Sequence, residues 1–217
     1  MVKAVIFDCD GVLVDSEPMT FDLLQEEFTA HGLELTLHEM ERIFIGGTIE
    51  GCAARAREMG ASLPADWGDH YYAVLCERLR AGTPLMAGVP ELLDRLDAEG
   101  ISYAVGSNGR HVKMAATLGQ HPEIRAKLEG RLFSGQEDVA HPKPAPDLYL
   151  HCAEALGVAP AECVVIEDSP AGARAAVAAG MRCLGYAPQG DHPALVATGA
   201  ELFTDMAQVP ALLGLGG

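Results

Sequence analysis

Positive charge is scarce in this chain of 217 residues, where 15 Lys and Arg stand against 31 Asp and Glu for a formal net charge of −16. That shortage excludes a nucleic-acid binder, whose affinity comes from covering phosphates with a basic surface. It also gives an anionic substrate no attraction at long range. Any phosphate must therefore be met locally, by a metal, a lysine or backbone N–H groups. Long apolar runs are also missing, and no window approaches the about 18 residues that a membrane span needs. The first run, Ala4-Val5-Ile6-Phe7, is too short for a signal peptide and ends in acids. A cytoplasmic protein that engages neither membrane nor nucleic acid is expected. Cysteine pairing is absent as well. Cys9, Cys52, Cys76, Cys152, Cys163 and Cys183 form no CxxC pair and no His/Cys cluster with zinc spacing. Their expected role is that of small buried hydrophobes in a reducing compartment.

What is present fits an α/β protein. Ala4–Phe7, Ser102–Gly106, Val164–Ile166 and Cys183–Gly185 are short apolar segments bounded by turn residues or acids. Between them run helical patterns: Leu92, Leu93 and Leu96 share a face, as do Leu148, Tyr149, Cys152, Ala155 and Leu156. Ala171–Ala179 is Ala-rich and stops at Gly180. Such alternation predicts a mainly parallel sheet with helices packed on it. Residues 16–83 break the rhythm, with several helical patterns and no strand signal. They are expected to form an inserted helical domain, with residues 1–15 and 84–217 making the core.

Four local features carry chemistry. Asp8-Cys9-Asp10-Gly11 follows the first strand directly, at the edge where open α/β sheets bind ligands. Two carboxylates that close can share a divalent cation. Ser107-Asn108-Gly109 follows a second strand, and a hydroxyl with consecutive N–H groups in such a turn makes an anion nest. Lys143 lies between Pro142 and Pro144, which limit the backbone and help aim the side chain. Glu167-Asp168-Ser169 ends a buried strand, where two acids are costly to desolvate without a cation or donors. Each feature has a plain structural explanation by itself, as cap, turn or solvated loop. Together, at the ends of parallel strands, they are what phosphoryl transfer requires.

With these motifs in order, the chain resembles the haloacid dehalogenase superfamily, in the β-phosphoglucomutase and phosphoglycolate-phosphatase branch that carries a helical cap. The patterns Phe7-Asp8-x-Asp10-Gly11-x-Leu13-x-Asp15-Ser16 and Glu167-Asp168-Ser169-x-x-Gly172 are the most specific. The stretch Val105–Met114 with Leu132-Phe133-Ser134-Gly135 looks closest to bacterial sugar-phosphate phosphatases such as the 6-phosphogluconate phosphatases. The resemblance implies a Rossmann-like core and a phosphatase of small sugar or sugar-acid phosphates. The acidic surface disfavours close self-association, so a monomer or weak homo-oligomer is expected. The resemblance also implies that Asp8 attacks phosphorus and that Asp10 serves as acid and base. Mg²⁺ would sit on Asp8, the backbone carbonyl of Asp10 and Asp168, with Glu167 close by. Ser107 and the amides of Asn108 and Gly109 would hold the phosphate, and Lys143 would offset its charge.

Alternatives remain at this stage. A dehalogenase has no use for the acid at Asp10, and a phosphonatase needs a cap lysine, absent from residues 16–83. A β-phosphoglucomutase keeps all four motifs. Ile45, Ile49 and Thr20 replace the Lys, Arg and His of mutase-like members, which weakens binding of a second phosphate. A phospho-acceptor regulatory module would share the Asp, Mg²⁺ and Lys but has no need of the insert. Among the cap arginines, Arg42, Arg55, Arg57, Arg78 and Arg80, Arg55 is the candidate substrate contact, and His111 and His141 lie near motifs without an assigned role.

Overall fold

The computed structural model describes residues 1–44 and 48–216. Six strands form one parallel sheet: β1 (Ala4–Phe7), β2 (Ser102–Ser107), β3 (Leu132–Ser134), β4 (Cys163–Glu167), β5 (Arg182–Tyr186) and β6 (Glu201–Phe203). Their order is β3-β2-β1-β4-β5-β6, so β1 is central and the chain changes direction on either side of it. Such a switch point leaves a crevice beyond the carboxyl ends of the strands. The register pairs Phe7 with both Val105 and Ile166, which sets Asp8 level with the ends of β2 and β4.

The sheet is buried on both faces, which explains the unbroken apolar strands. Along β1, Val5 and Phe7 join one apolar cluster, with Leu92, Leu96, Tyr103 and Val105. Ala4 and Ile6 join the other, with Leu148, Tyr149, Cys152 and Ala176. All six cysteines are free and buried, as expected of small hydrophobes. Helices α1 (Glu17–Ala30), α2 (Leu37–Phe44), α3 (Ile49–Glu58) and α4 (Trp67–Gly82) lie between β1 and β2. They are followed by α5 (Val89–Ala98), α6 (His111–Leu118), α7 (Pro122–Lys127), α8 (Asp147–Leu156), α9 (Pro170–Ala178), α10 (Pro193–Val196) and α11 (Val209–Leu212). Among the described residues, no helix is long and apolar enough to cross a membrane.

Helices α1–α4 bury their own apolar cluster around Phe28, Trp67, Tyr71 and Leu79, to which the rest of the chain adds Ala116 of α6. Phe28, Trp67 and Tyr71 stack in series with centroids 5.5 and 4.9 Å apart. The chain leaves and re-enters the sheet region through two segments that pair with each other. Val14 bridges Leu85, the Asp15 N–H donates to the Pro84 carbonyl at 2.9 Å, and the Met86 N–H to that of Leu13 at 2.9 Å. The tract after α6 clamps this return. Gln120 Oε1 accepts from the Thr83 N–H at 2.9 Å, and His121 Nε2 lies 2.8 Å from the Thr83 carbonyl.

Candidate active site

Asp8, Ser107 and Glu167 end or follow the three central strands, and Lys143 enters from the loop before α8. Lys143 Nζ lies 2.5 Å from Asp8 Oδ1 and 2.6 Å from Glu167 Oε1. All three side chains are nearly removed from solvent. A buried ammonium between two carboxylates holds only where further donors complete the set. Here the Tyr149 hydroxyl donates to Glu167 Oε1 at 2.8 Å, and the Ser169 N–H and hydroxyl both donate to Oε2 at 2.9 Å. The Tyr149 ring also lies under the ammonium, 4.8 Å from Nζ to its centroid. Lys143 is joined to Pro144 by a cis peptide bond.

The Ser107–Gly109 turn is tied to this loop by Asn108. Its Nδ2 donates to the Lys143 carbonyl at 3.1 Å, and its Oδ1 accepts from the Lys143 N–H at 3.0 Å. The Gly109 N–H donates to Ser107 Oγ at 2.9 Å, and the Ser134 hydroxyl supports the turn from behind through the Gly109 carbonyl at 2.8 Å.

Asp8, Glu167 and Asp168 can bring one carboxylate oxygen each within 4.8 Å of one another. Two glycines make that crowding possible. A Cβ on Gly11, whose φ is +78°, would stand 2.0 Å from Asp168 Oδ2, and one on Gly172 would stand 1.6 Å from Glu167 Oε1. The electrostatics record a shortage of positive charge. Burial pushes the Asp8 carboxyl up to about 7, with the charges of Glu167 and Asp10 adding to the rise and Lys143 opposing it. Burial, with the neighbouring Glu167 and Asp8 charges, also raises Asp168 well above the carboxylate range. Glu167 differs: burial raises it, but Lys143 and the donors from Ser169 and Tyr149 outweigh that and hold it low.

Asp10 stands apart from the trio. Its Oδ1 accepts from the Ser16 hydroxyl at 2.5 Å and lies 2.8 Å from Lys113 Nζ. Burial opposes its ionisation, but the Lys113 ion pair and the Ser16 hydrogen bond prevail and keep it below its usual value. Lys113, Tyr149 and Ser16 were not assigned to the site from sequence. The signals present were that Lys113 is one of only four lysines, and that Lys113 and Tyr149 each follow a motif residue by six positions on a helix.

Other expected candidates are occupied elsewhere. Arg55, singled out as a substrate contact, lies on an exposed helix face 3.0 Å from Glu58. Arg57 reaches the Pro64 carbonyl at 2.6 Å, while Arg78 pairs with Glu26 and Arg80 with Glu77. His111 faces Asp138 and His141 faces Asp147, both on the exterior. Of the three positions on which the mutase comparison turns, Ile45 lies outside the described residues, as does the Arg42 side chain, while Ile49 opens α3 and packs against the apolar cluster of the insert. Thr20 donates its hydroxyl to the Ser16 carbonyl at 2.8 Å.

A central strand followed by Asp8 and flanked by the Ser107–Gly109 turn, a buried lysine and an acid pair points to a class of hydrolase. Residues 2–180 match the haloacid dehalogenase-like hydrolase model, and the chain belongs to that family. It is similar to 6-phosphogluconate phosphatase of Escherichia coli, with 30% identity across 97% of this chain and 94% of that one. Hexitol phosphatase A of the same organism is 33% identical over 89% and 87%. A Deinococcus radiodurans hydrolase of this family, solved with bound phosphate and sodium, superposes with a TM-score of 0.80 at 32% identity, covering 99% of this chain and 96% of the other.

Proposed function

We propose that the chain is a Mg²⁺-dependent phosphatase of small sugar or sugar-acid phosphates that carries the phosphoryl group on Asp8. The observation behind this reading is the carboxylate trio of Asp8, Glu167 and Asp168, set within 4.8 Å and served by the single buried ammonium of Lys143. Three acids around one lysine are short of positive charge, and hard oxygen donors suit Mg²⁺. The cradle fits such an ion, because the Gly11 position leaves Asp168 free to face Asp8. Asp8, Asp168 and the Asp10 carbonyl would hold the cation, with Glu167 alongside anchoring Lys143. Bound there, Mg²⁺ supplies the charge that offsets the phosphoryl oxygens and keeps Asp8 ionised.

The remaining work falls to side chains. Asp10, held low by Lys113 in the free site, takes up a proton as the charge of the arriving phosphate raises it; Asp8 attacks phosphorus, and the ester oxygen departs with that proton. Asp10 then takes a proton from the water that attacks the aspartyl-phosphate, which frees phosphate and restores Asp8. Ser107 and the turn amides hold phosphoryl oxygens, and Lys143 offsets charge on Asp8 and on the transferred group. Residues 16–83 act as a cap that closes over the substrate and keeps bulk water out.

A groove of about 340 Å³ beside the turn is lined by Thr48 and Glu50 from the helical insert and by Asn108, Gln136 and Pro142. It offers the Thr48 hydroxyl and the Glu50 carboxylate, so it favours leaving groups rich in neutral hydroxyls over those that carry an acid. The test is phosphate release from hexose, hexitol and sugar-acid phosphates, phosphoglycolate, nucleoside monophosphates and β-glucose 1-phosphate, with Mg²⁺ and with EDTA. Mg²⁺-dependent release that favours one or two sugar esters is expected. No release from any ester, with β-glucose 1-phosphate turning into glucose 6-phosphate, would overturn the proposal in favour of a mutase.

A further inference from the structure

Of the four lysines, Lys3 and Lys127 form ion pairs at the surface, and Lys143 lies in the strand-end site. Lys113 is the remaining one. It lies outside the four motifs, yet its side chain is only 14% exposed and its Nζ lies 2.8 Å from Asp10 Oδ1. It projects from α6, the helix that packs on α4 and follows directly from the Ser107–Gly109 turn. Desolvating an ammonium is costly, and an ordinary helix staple does not require it.

The geometry around Asp10 is asymmetric. Ser16 Oγ donates to Oδ1 at 2.5 Å, and Lys113 sits on that same oxygen. The other oxygen faces the anion turn. A Cβ placed on Gly109 would stand 3.7 Å from Asp10 Oδ2, 3.2 Å from Ser107 Oγ and 3.4 Å from Lys113 Cδ. One carboxylate oxygen is therefore tethered from two sides, while its partner is presented beside the hydroxyl that would hold phosphate.

We infer that Lys113 is a positioning residue for Asp10: with Ser16 it grips Oδ1 so that Oδ2 meets the ester oxygen at the moment the bond to phosphorus breaks. The inference rests on the phosphatase reading above and on Asp10 as its acid. A positioned acid is typically worth about 10²–10⁴-fold in rate, and most where the leaving group is a strong base. Losing its alignment penalises poor leaving groups more than good ones, whereas a merely structural lysine affects both alike.

The experiment compares kcat/KM for p-nitrophenyl phosphate and phenyl phosphate, with Mg²⁺, in wild type, Lys113→Met, Lys113→Arg and Asp10→Asn. This ratio reports steps through leaving-group departure. Phenolate is a poor leaving group, its acid having a pKa of about 10, like tyrosine, whereas p-nitrophenolate departs readily without a proton. Both esters are measured on one preparation, so any loss of folded protein cancels. Lys113→Met should lose at least about tenfold more activity on phenyl than on p-nitrophenyl phosphate. Asp10→Asn should show the same bias, and Lys113→Arg should recover most of it. An equal loss on both esters in Lys113→Met, with Asp10→Asn still discriminating, would overturn the inference and leave the phosphatase reading standing. No discrimination in Asp10→Asn, or no release from either ester by wild type, would overturn that reading and this inference together.

Discussion

Replacing Lys143 by Met removes the only ammonium from a cluster of buried acids. Lys143 Nζ lies 2.5 Å from Asp8 and 2.6 Å from Glu167, with 3% of its side chain exposed. Deleting one partner of such a pair costs about 3–5 kcal/mol. For a chain of this length each kcal/mol lowers Tm by about 2–4 °C. The expected loss in metal-free protein is thus about 6–20 °C. The sign of its pH dependence follows from Asp8. Its folded-state pKa is pushed up to about 7, so the folded chain holds a proton that the unfolded chain releases at lower pH. That contribution to stability is present at low pH and lost as pH rises through the folded value. Without Lys143, the charge that opposes the rise is gone and the decline extends higher. The Tm deficit should therefore be larger near pH 8 than near pH 5.5, roughly by one step of the range above. Saturating Mg²⁺ should narrow it, since the cation replaces the missing charge. Turnover should still fall by about 10²–10³-fold, the usual cost of losing one preorganised charge. Scanning calorimetry at both pH values, with and without Mg²⁺, makes the comparison. A deficit below about 2 °C, or one that is the same at both pH values, would refute this account of the cluster.

Further expectations concern the cation and the groove. Gly11→Ala puts a methyl 2.0 Å from Asp168 Oδ2 at a φ of +78°, so the variant should lose most of the Mg²⁺-induced rise in Tm; an undiminished rise would remove Asp168 from the cradle. Mg²⁺ must displace protons from Asp8 and Asp168, both raised by burial, so its apparent affinity by titration calorimetry should climb with pH through about 7, where Asp8 loses its proton. A pH-independent affinity would contradict this. Glu50 lines the groove, and neutralising it in Glu50→Gln should raise kcat/KM for 6-phosphogluconate relative to sorbitol 6-phosphate by about threefold at low salt, the worth of one solvated charge at about 6 Å; an unchanged ratio would place the leaving group elsewhere.

Much of this was legible in the sequence because the chemistry sits at strand ends. Asp8, Ser107 and Glu167 each follow or close a short apolar run, and parallel strands bring such ends to one edge. The acid pair was visible for the same reason, since a charge beside a buried strand demands a partner. Strands β3 and β6 escaped notice. Each has three residues at an edge-ward position, with too few buried side chains to leave a pattern. Tyr149 looked like one more apolar residue on a helix face, and its hydroxyl gains meaning only when α8 packs on β1 and β2 and the hydroxyl meets Glu167. Lys113 was hidden likewise, because its link to Asp10 crosses more than 100 positions along the chain.

The central claim is that Asp8 itself carries the phosphoryl group. Acid quench during steady turnover of the best ester from the substrate panel, followed by peptide mass spectrometry, tests it most directly. The account predicts one phosphoryl adduct on the peptide that contains Asp8, seen only with Mg²⁺ and absent, along with turnover, in Asp8→Asn. Undiminished phosphate release by Asp8→Asn, or an adduct on any other residue, would contradict it.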